Sequence, residues 1–202
     1  MDPLKSPYAY KIRHQLSDCE VQTYCHDFTF IPQNSLNEIL TQDTLRAILS
    51  EAPFKKWFYK REELVQLLAQ GGKRMFAILL LIGREHDILK FHERDKMQSL
   101  DAQLPLTIEG VEEVLGSEGV VDVNVATDFV RVQWKLLTPV LRKDRSHRVF
   151  DEKTVLPFVE NILLTKDGFE EISRVKLLAS HQQLLNPDVN GNVSESYVHS
   201  FF

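Results

Sequence analysis

Cysteine is scarce in this chain. Its 202 residues include only Cys19 and Cys25. Two cysteines cannot build the framework of several disulfides that stabilises small secreted domains. A pair of free thiols is typical of a reducing compartment, so the composition predicts an intracellular, cytoplasmic protein.

Long apolar runs and an excess of positive charge are also lacking. The most apolar stretch, Met75–Ile82, has eight residues, whereas a membrane-spanning helix needs about 20. No positively charged start followed by an apolar segment opens the chain, so a secretory signal is not predicted. The net charge of -5 gives no overall positive field that would attract phosphate backbones. We therefore expect neither a membrane nor a nucleic acid as a partner.

The usual local signatures of catalysis and metal binding are missing as well. No Gly-x-Ser-x-Gly elbow occurs, and Gly71–Arg74 ends in arginine where a phosphate-binding loop has serine or threonine. Cys19, Cys25 and His26 lack the paired spacing of a structural zinc site. The sequence predicts no catalytic residue and no metal ligand.

What is present is the composition of a folded chain, with 43% hydrophobic and 26% charged residues. Residues 34–148 are predicted to form a helical domain. Leucine and isoleucine recur at three-four spacing from Leu36 to Leu49, which predicts one helix from Asn34 or Ser35 to Pro53. Residues 1–33 show no clean periodicity and are expected to form a partly ordered arm, with a short strand within 24–31.

Further helices are expected along the rest of this domain. A glycine pair, Gly71–Gly72, separates a helix that starts near residue 54 from the all-apolar Met75–Ile82, which belongs at the centre of a bundle. A long connection with a short helix near Glu109–Leu115 follows. The helical spacing from Phe129 to Leu137 should end at Pro139.

Residues 149–202 are rich in β-branched and aromatic side chains and predict strands. An antiparallel hairpin is expected over 155–178, with its turn at Lys166–Gly168. Ser173, Val175 and Leu177 would share one face of its second strand, and the residues between them the other. The predicted fold class is α+β, a mainly helical bundle followed by a C-terminal hairpin.

Several segments resemble a group of fungal serine/threonine protein kinases. They are Phe76-Ala-Ile-Leu-Leu-Leu-Ile, Gln133-Trp-Lys-Leu-Leu-Thr-Pro-Val, Phe150-Asp-Glu-Lys-Thr-Val-Leu-Pro-Phe, Asp167-Gly-Phe-Glu-Glu-Ile-Ser-Arg-Val-Lys-Leu and Ser180-His181. In that family a helical N-terminal region leads into the small lobe of the kinase. The resemblance implies that residues 149–202 correspond to the first strands of this lobe, truncated before the catalytic core.

The resemblance identifies Gly168 and Phe169 as the remnant of a nucleotide-binding loop. Asp167 stands where the family has a second glycine, and Glu171 where many kinases have a third. Carboxylates beside phosphates would repel them, and no Asp base or second magnesium ligand of a kinase is recognisable. We therefore expect no cofactor; ATP is the only candidate, and Asp167 and Glu171 oppose its binding.

The leading hypothesis is a non-catalytic regulatory or docking module related to these kinases. An isolated hairpin is marginal in water, so Phe158, Ile172 and Val175 must be covered by the helices, by a protein partner or by self-association. One alternative is a fragment of a full-length kinase that binds ATP and transfers phosphoryl groups. The other is an unrelated helical interaction protein, which a helix across 170–178 would favour.

Overall fold

The protein has an α+β fold in which a helical body is followed by a small antiparallel sheet. The computed structural model describes residues 7–25, 27–51, 60–94, 99–116, 123–143, 149–167, 170–184 and 196–201. Within them the α-helices are α1 (Pro7–Asp18), α2 (Gln33–Ile39), α3 (Gln42–Ile48), α4 (Arg61–Gly71), α5 (Lys73–Leu81), α6 (Ile88–Arg94), α7 (Ile108–Leu115) and α8 (Val123–Gln133).

Helix α5 lies at the centre of the helical body. Every residue from Met75 to Leu80 is fully buried, and the helix packs against α1, α4 and α8. A helix that is apolar on all sides is stable in water only when other elements surround it. The central position predicted for this segment is confirmed.

The single helix expected from residue 34 or 35 to Pro53 is instead two helices, α2 and α3. Thr41 lies between them, and its side-chain oxygen accepts a hydrogen bond from the backbone N–H of Thr44 at 3.2 Å. A threonine in this position caps the start of a new helix, so a separate helix begins after Leu40. The expected end at Pro53 lies outside the described residues.

Helix α1 occupies much of the segment expected to be a partly ordered arm. Ala9, Ile12 and Leu16 are buried in the same core as α5. Their spacing of three and four residues is a helical pattern, but Tyr10 and several polar residues lie between them. The strand expected within 24–31 is reduced to β2 (Thr29–Phe30), which pairs antiparallel with β1 (Val21–Gln22).

Helices α4 and α5 meet at Gly72, where the chain bends by 102°. A Cβ atom on Gly72 would lie 2.9 Å from Leu68 Cδ2 and 3.2 Å from Leu68 Cα, so any larger residue here would displace its neighbours. Asp101 caps the new helix from a distant turn. Its carboxylate accepts from the backbone N–H of Met75 at 2.9 Å and of Arg74 at 3.3 Å. Burial raises the pKa of Asp101, against the influence of these two hydrogen bonds.

No single helix in the described part of the chain is long and apolar enough to cross a membrane. Only α4 and α5 taken together reach the length and composition of a span, across their 102° bend.

The end of the helical body is organised around Gln133, the last residue of α8. Its buried side-chain amide accepts from the N–H of Leu106 at 2.8 Å and donates to the carbonyl of Leu106 at 2.9 Å. Helix α7 confirms the short helix expected near Glu109–Leu115. Helix α8 ends well before Pro139, because the chain forms a turn from residue 134 to 136.

The C-terminal sheet contains β4 (Phe158–Asp167), β5 (Glu170–Leu177) and β7 (Ser196–Phe201), antiparallel and in the order β4-β5-β7. The predicted hairpin is confirmed. The predicted alternation of faces is confirmed as well, because Val175 and Leu177 are buried whereas Arg174 and Lys176 are not. The turn comes later than predicted, since Lys166 and Asp167 pair with Glu171 and Glu170.

A last pair of short strands returns the chain to the helical body. Strand β6 (Gln182–Gln183) pairs parallel with β3 (Leu141–Arg142), which follows α8. The C-terminal sheet is therefore held at the end where β4 begins and β5 ends. We call this end the root of the sheet.

Candidate functional site

His181 joins the root of the C-terminal sheet to the helical body. It ends a short 3-10 helix after β5 and is 2% exposed. The backbone N–H of Gln33, at the start of α2, donates to His181 Nε2 at 3.1 Å. His181 Nδ1 lies 3.1 Å from the carbonyl oxygen of Pro139 and donates to it in the neutral tautomer. The ring of Phe30 packs edge-on at a centroid distance of 5.2 Å.

These contacts require a neutral imidazole at residue 181. Burial lowers the pKa of His181, the charge of Arg74 acts in the same direction, and the hydrogen bond to Pro139 opposes them. A proton on Nε2 would meet the N–H of Gln33, so two donors would face each other. Protonation of His181 therefore weakens the junction between the sheet and the helices.

A second contact at the root involves the loop between β1 and β2. The backbone N–H of Tyr24 donates to the carbonyl of Phe158 at 2.9 Å, which places this loop beside the first residue of β4. The loop itself is closed by Thr23, whose hydroxyl donates to the carbonyl of Phe28 at 3.1 Å. The β1–β2 loop and the C-terminal sheet thus form two walls of one depression.

That depression is a cavity of about 560 Å³. It is lined by Thr23, Tyr24, Cys25, Phe28, Leu141, Phe150, Glu152, Lys153, Thr154, Val155, Leu156, Phe158, Asn161, Ser173 and Val175. Its surface is mostly apolar, and three of its rings, Tyr24, Phe28 and Phe150, remain exposed to solvent. The volume and lining are those of pockets that bind small molecules.

Three consecutive large apolar residues on β4 are also exposed. Ile162, Leu163 and Leu164 are 45%, 53% and 50% exposed; we call them the β4 patch. Leu163 pairs with Ser173 and therefore shares the face of the sheet that lines the cavity, whereas Ile162 pairs with Arg174 on the other face. A register shift between Leu163 and Thr165 adds Leu164 as an extra residue.

The β4 patch differs from the exposed surface that the sequence predicts. Of the three residues expected to need a cover, Val175 is buried at the root, and Phe158 and Ile172 are half-buried. The exposed leucines lie further from the helices, on the edge strand. The run Ile162-Leu-Leu breaks the alternation of polar and apolar residues, and this break was the signal available in the sequence.

The predicted nucleotide-loop residues, Gly168 and Phe169, lie outside the described residues. Their neighbours Asp167 and Glu170 pair across β4 and β5 at the far end of the sheet from the root. The cavity is thus built by the β1–β2 loop, residues 150–156 and the root of the sheet, and not by the predicted loop. In the described part of the chain no group of three His, Cys, Asp or Glu residues is placed to bind a metal ion.

Comparison with known proteins finds no family model, no curated protein and no solved structure that matches this chain.

Proposed function

We propose that the chain is a non-catalytic docking module related to fungal protein kinases, and that it docks onto a second copy of itself. The observation that carries docking is the β4 patch, where three adjacent large apolar side chains are about half exposed. Ile162 and Leu163 lie on opposite faces of β4, so this edge strand exposes large apolar side chains on both of its faces, and exposed apolar edge strands are sites of association.

The position of the patch supports a protein as its partner. Strand β4 lies at an edge of the C-terminal sheet, and β5 is its only sheet neighbour among the described strands. Register shifts at Val159 and at Leu164 interrupt a regular ladder along β4, which disfavours continuous strand pairing at this edge. Packing of the apolar side chains would therefore provide the contact.

The residues of the patch support a second copy as the occupant. A second copy presents the same three exposed apolar side chains on its own β4, so each patch can cover the other in a two-fold symmetric contact.

The absence of catalysis is supported by residues of the C-terminal sheet. Asp167 and Glu171 replace glycines of the kinase loop, and β7, with the sequence Ser-Tyr-Val-His-Ser-Phe, contains no lysine that could pair phosphates. Titration calorimetry with Mg-ATP is expected to show no binding. Micromolar binding would contradict this part of the proposal and favour the kinase-fragment alternative.

Sedimentation velocity over a range of protein concentrations tests the docking. We expect a monomer–dimer equilibrium that Leu163→Glu weakens by at least about 100-fold, because an unpaired carboxylate would be buried in the contact. Val149→Glu is the matched control, since Val149 is also apolar but 96% exposed and lies outside the patch; this variant should dimerise like the parent chain.

A chain that stays monomeric at every concentration, or a dimer that Leu163→Glu leaves unchanged, would contradict docking through β4.

A further inference from the structure

We propose that the cavity at the root of the C-terminal sheet binds an uncharged small molecule that carries an aromatic or branched aliphatic group. This site is separate from the β4 patch, and the inference does not depend on self-association.

The size and walls of the cavity carry this inference. Its volume of about 560 Å³ lies within the range of roughly 300–1,000 Å³ that is usual for small-molecule sites. Phe158, Val155 and Val175 contribute apolar side chains at the root, and the exposed rings of Tyr24 and Phe28 line the cavity from the β1–β2 loop. Rings arranged around a depression favour another ring, through edge-to-face or offset contacts.

The polar groups of the lining indicate a neutral ligand. Asn161 and Ser173 supply an amide and a hydroxyl from neighbouring strands, and these can orient one hydrogen-bonding group. The charged residues of the lining, Glu152 and Lys153, are exposed, adjacent in sequence and opposite in sign. They give the cavity no net charge that would select an ion.

Cys25 provides a natural reporter for the site. It is exposed and lines the cavity, with its sulfur 3.1 Å from the hydroxyl of Thr23. Cys19 is less accessible, and burial raises the pKa of its thiol. Because the thiolate is the reactive form, small disulfides should exchange with Cys25 in preference to Cys19.

The experiment is disulfide exchange with two matched sets of small disulfides under limiting reductant, read by intact-protein mass spectrometry. One set carries phenyl, naphthyl or isobutyl groups, and the other carries carboxylate or ammonium groups on the same linker. We expect the yield of Cys25 mixed disulfides to be about tenfold or more higher with the apolar set than with the charged set, because one apolar group would be buried in the cavity. Cys25→Ser should abolish capture, and Cys19→Ser should not.

Cavity-filling variants connect the preference to the cavity itself. Ser173→Phe adds a ring on the cavity face of β5 and should remove the preference, while capture of β-mercaptoethanol disulfide is unchanged. Ile162→Phe, on the other face of the sheet, is the matched control and should keep the preference. If thermal melting shows that Ser173→Phe does not fold, Asn161→Phe replaces it, because Asn161 is exposed and also lines the cavity.

Equal capture of the apolar and charged sets, or a preference that survives both filling variants, would overturn the proposal. The outcome is distinct from that of the docking test. Leu163 is not among the residues that line the cavity, so Leu163→Glu should weaken the dimer and leave ligand capture intact.

Discussion

The imidazole of His181 connects three parts of the chain that are distant in sequence. It follows β5, accepts from the start of α2 at Gln33 and lies against Pro139 after α8. Because both ring nitrogens are used and the ring is buried, removal of the side chain takes the hydrogen-bond partner from a partly buried N–H and a partly buried carbonyl. The cost of such unsatisfied groups exceeds the value of an ordinary exposed hydrogen bond.

We predict that His181→Ala lowers the free energy of unfolding at pH 7 by about 2–4 kcal/mol, from the lost contacts and the space left behind. Urea unfolding measures this change. His86→Ala is the control, because His86 has a side chain that is 48% exposed; its effect should stay within about 0.5 kcal/mol.

The same residue predicts a pH dependence. Since the pKa of His181 is lowered in the folded state, the unfolded chain binds the proton more readily. The stabilisation that neutral His181 gives to the folded state is therefore fully present above about pH 6.5, the usual pKa of histidine. It is lost as the pH falls towards the lowered pKa of the folded state. The stability difference between the parent chain and His181→Ala should shrink from pH 7 to pH 5. A constant difference would contradict a neutral, buried ring.

At the scale of elements, the start of α5 depends on a cap supplied from another segment. Gly72, the residue before α5, has no side chain that could accept the first N–H groups, and Asp101 accepts two of them instead. A carboxylate near the N-terminus of a helix also interacts favourably with the helix dipole. The central helix is thus tied to the turn at 99–103.

We expect Asp101→Ala to destabilise the protein by about 1–2 kcal/mol, as the loss of a helix cap does. Chemical denaturation followed by circular dichroism gives the value. Asp128→Ala removes a carboxylate that makes an exposed ion pair with Arg131, and should change stability by no more than about 0.5 kcal/mol. Similar effects of the two variants would argue against the capping role of Asp101.

At the scale of the whole molecule, the two ends of the C-terminal sheet differ in how they are supported. At the root, Val175, Leu177 and His181 are buried, and β6 pairs with β3 beside the helices. Residues 160–165 of β4 are all exposed. Local stability follows buried contacts, so this part of β4 should open more readily than α5 does.

Hydrogen exchange followed by mass spectrometry tests this difference. Amides at 160–165 should exchange before those of Met75–Leu80, and their protection should rise with protein concentration if a second copy covers the β4 patch. Protection of β4 equal to that of α5 in dilute solution would show that the strand is supported along its whole length.

The elements that the sequence predicted correctly are those whose signal is local and strong. An apolar segment such as Met75–Ile82 can be stable only in a core, and the alternation of Ser173, Val175 and Leu177 with polar residues fits only a strand with one covered face. The helix break at Thr41 was not predicted, because the apolar spacing continues across it and the cap consists of a single hydrogen bond. Helix α1 was missed because its apolar positions are few.

The α+β class, the central helix and the hairpin follow from the amino-acid sequence alone, because periodicity and apolar content act between near neighbours in the chain. Which hairpin residues are covered, where the cavity lies and what His181 contacts follow from the packing of the complete chain. These features join residues more than a hundred positions apart, such as Gln33 and His181. No local pattern encodes such pairs, since they depend on how the whole chain packs.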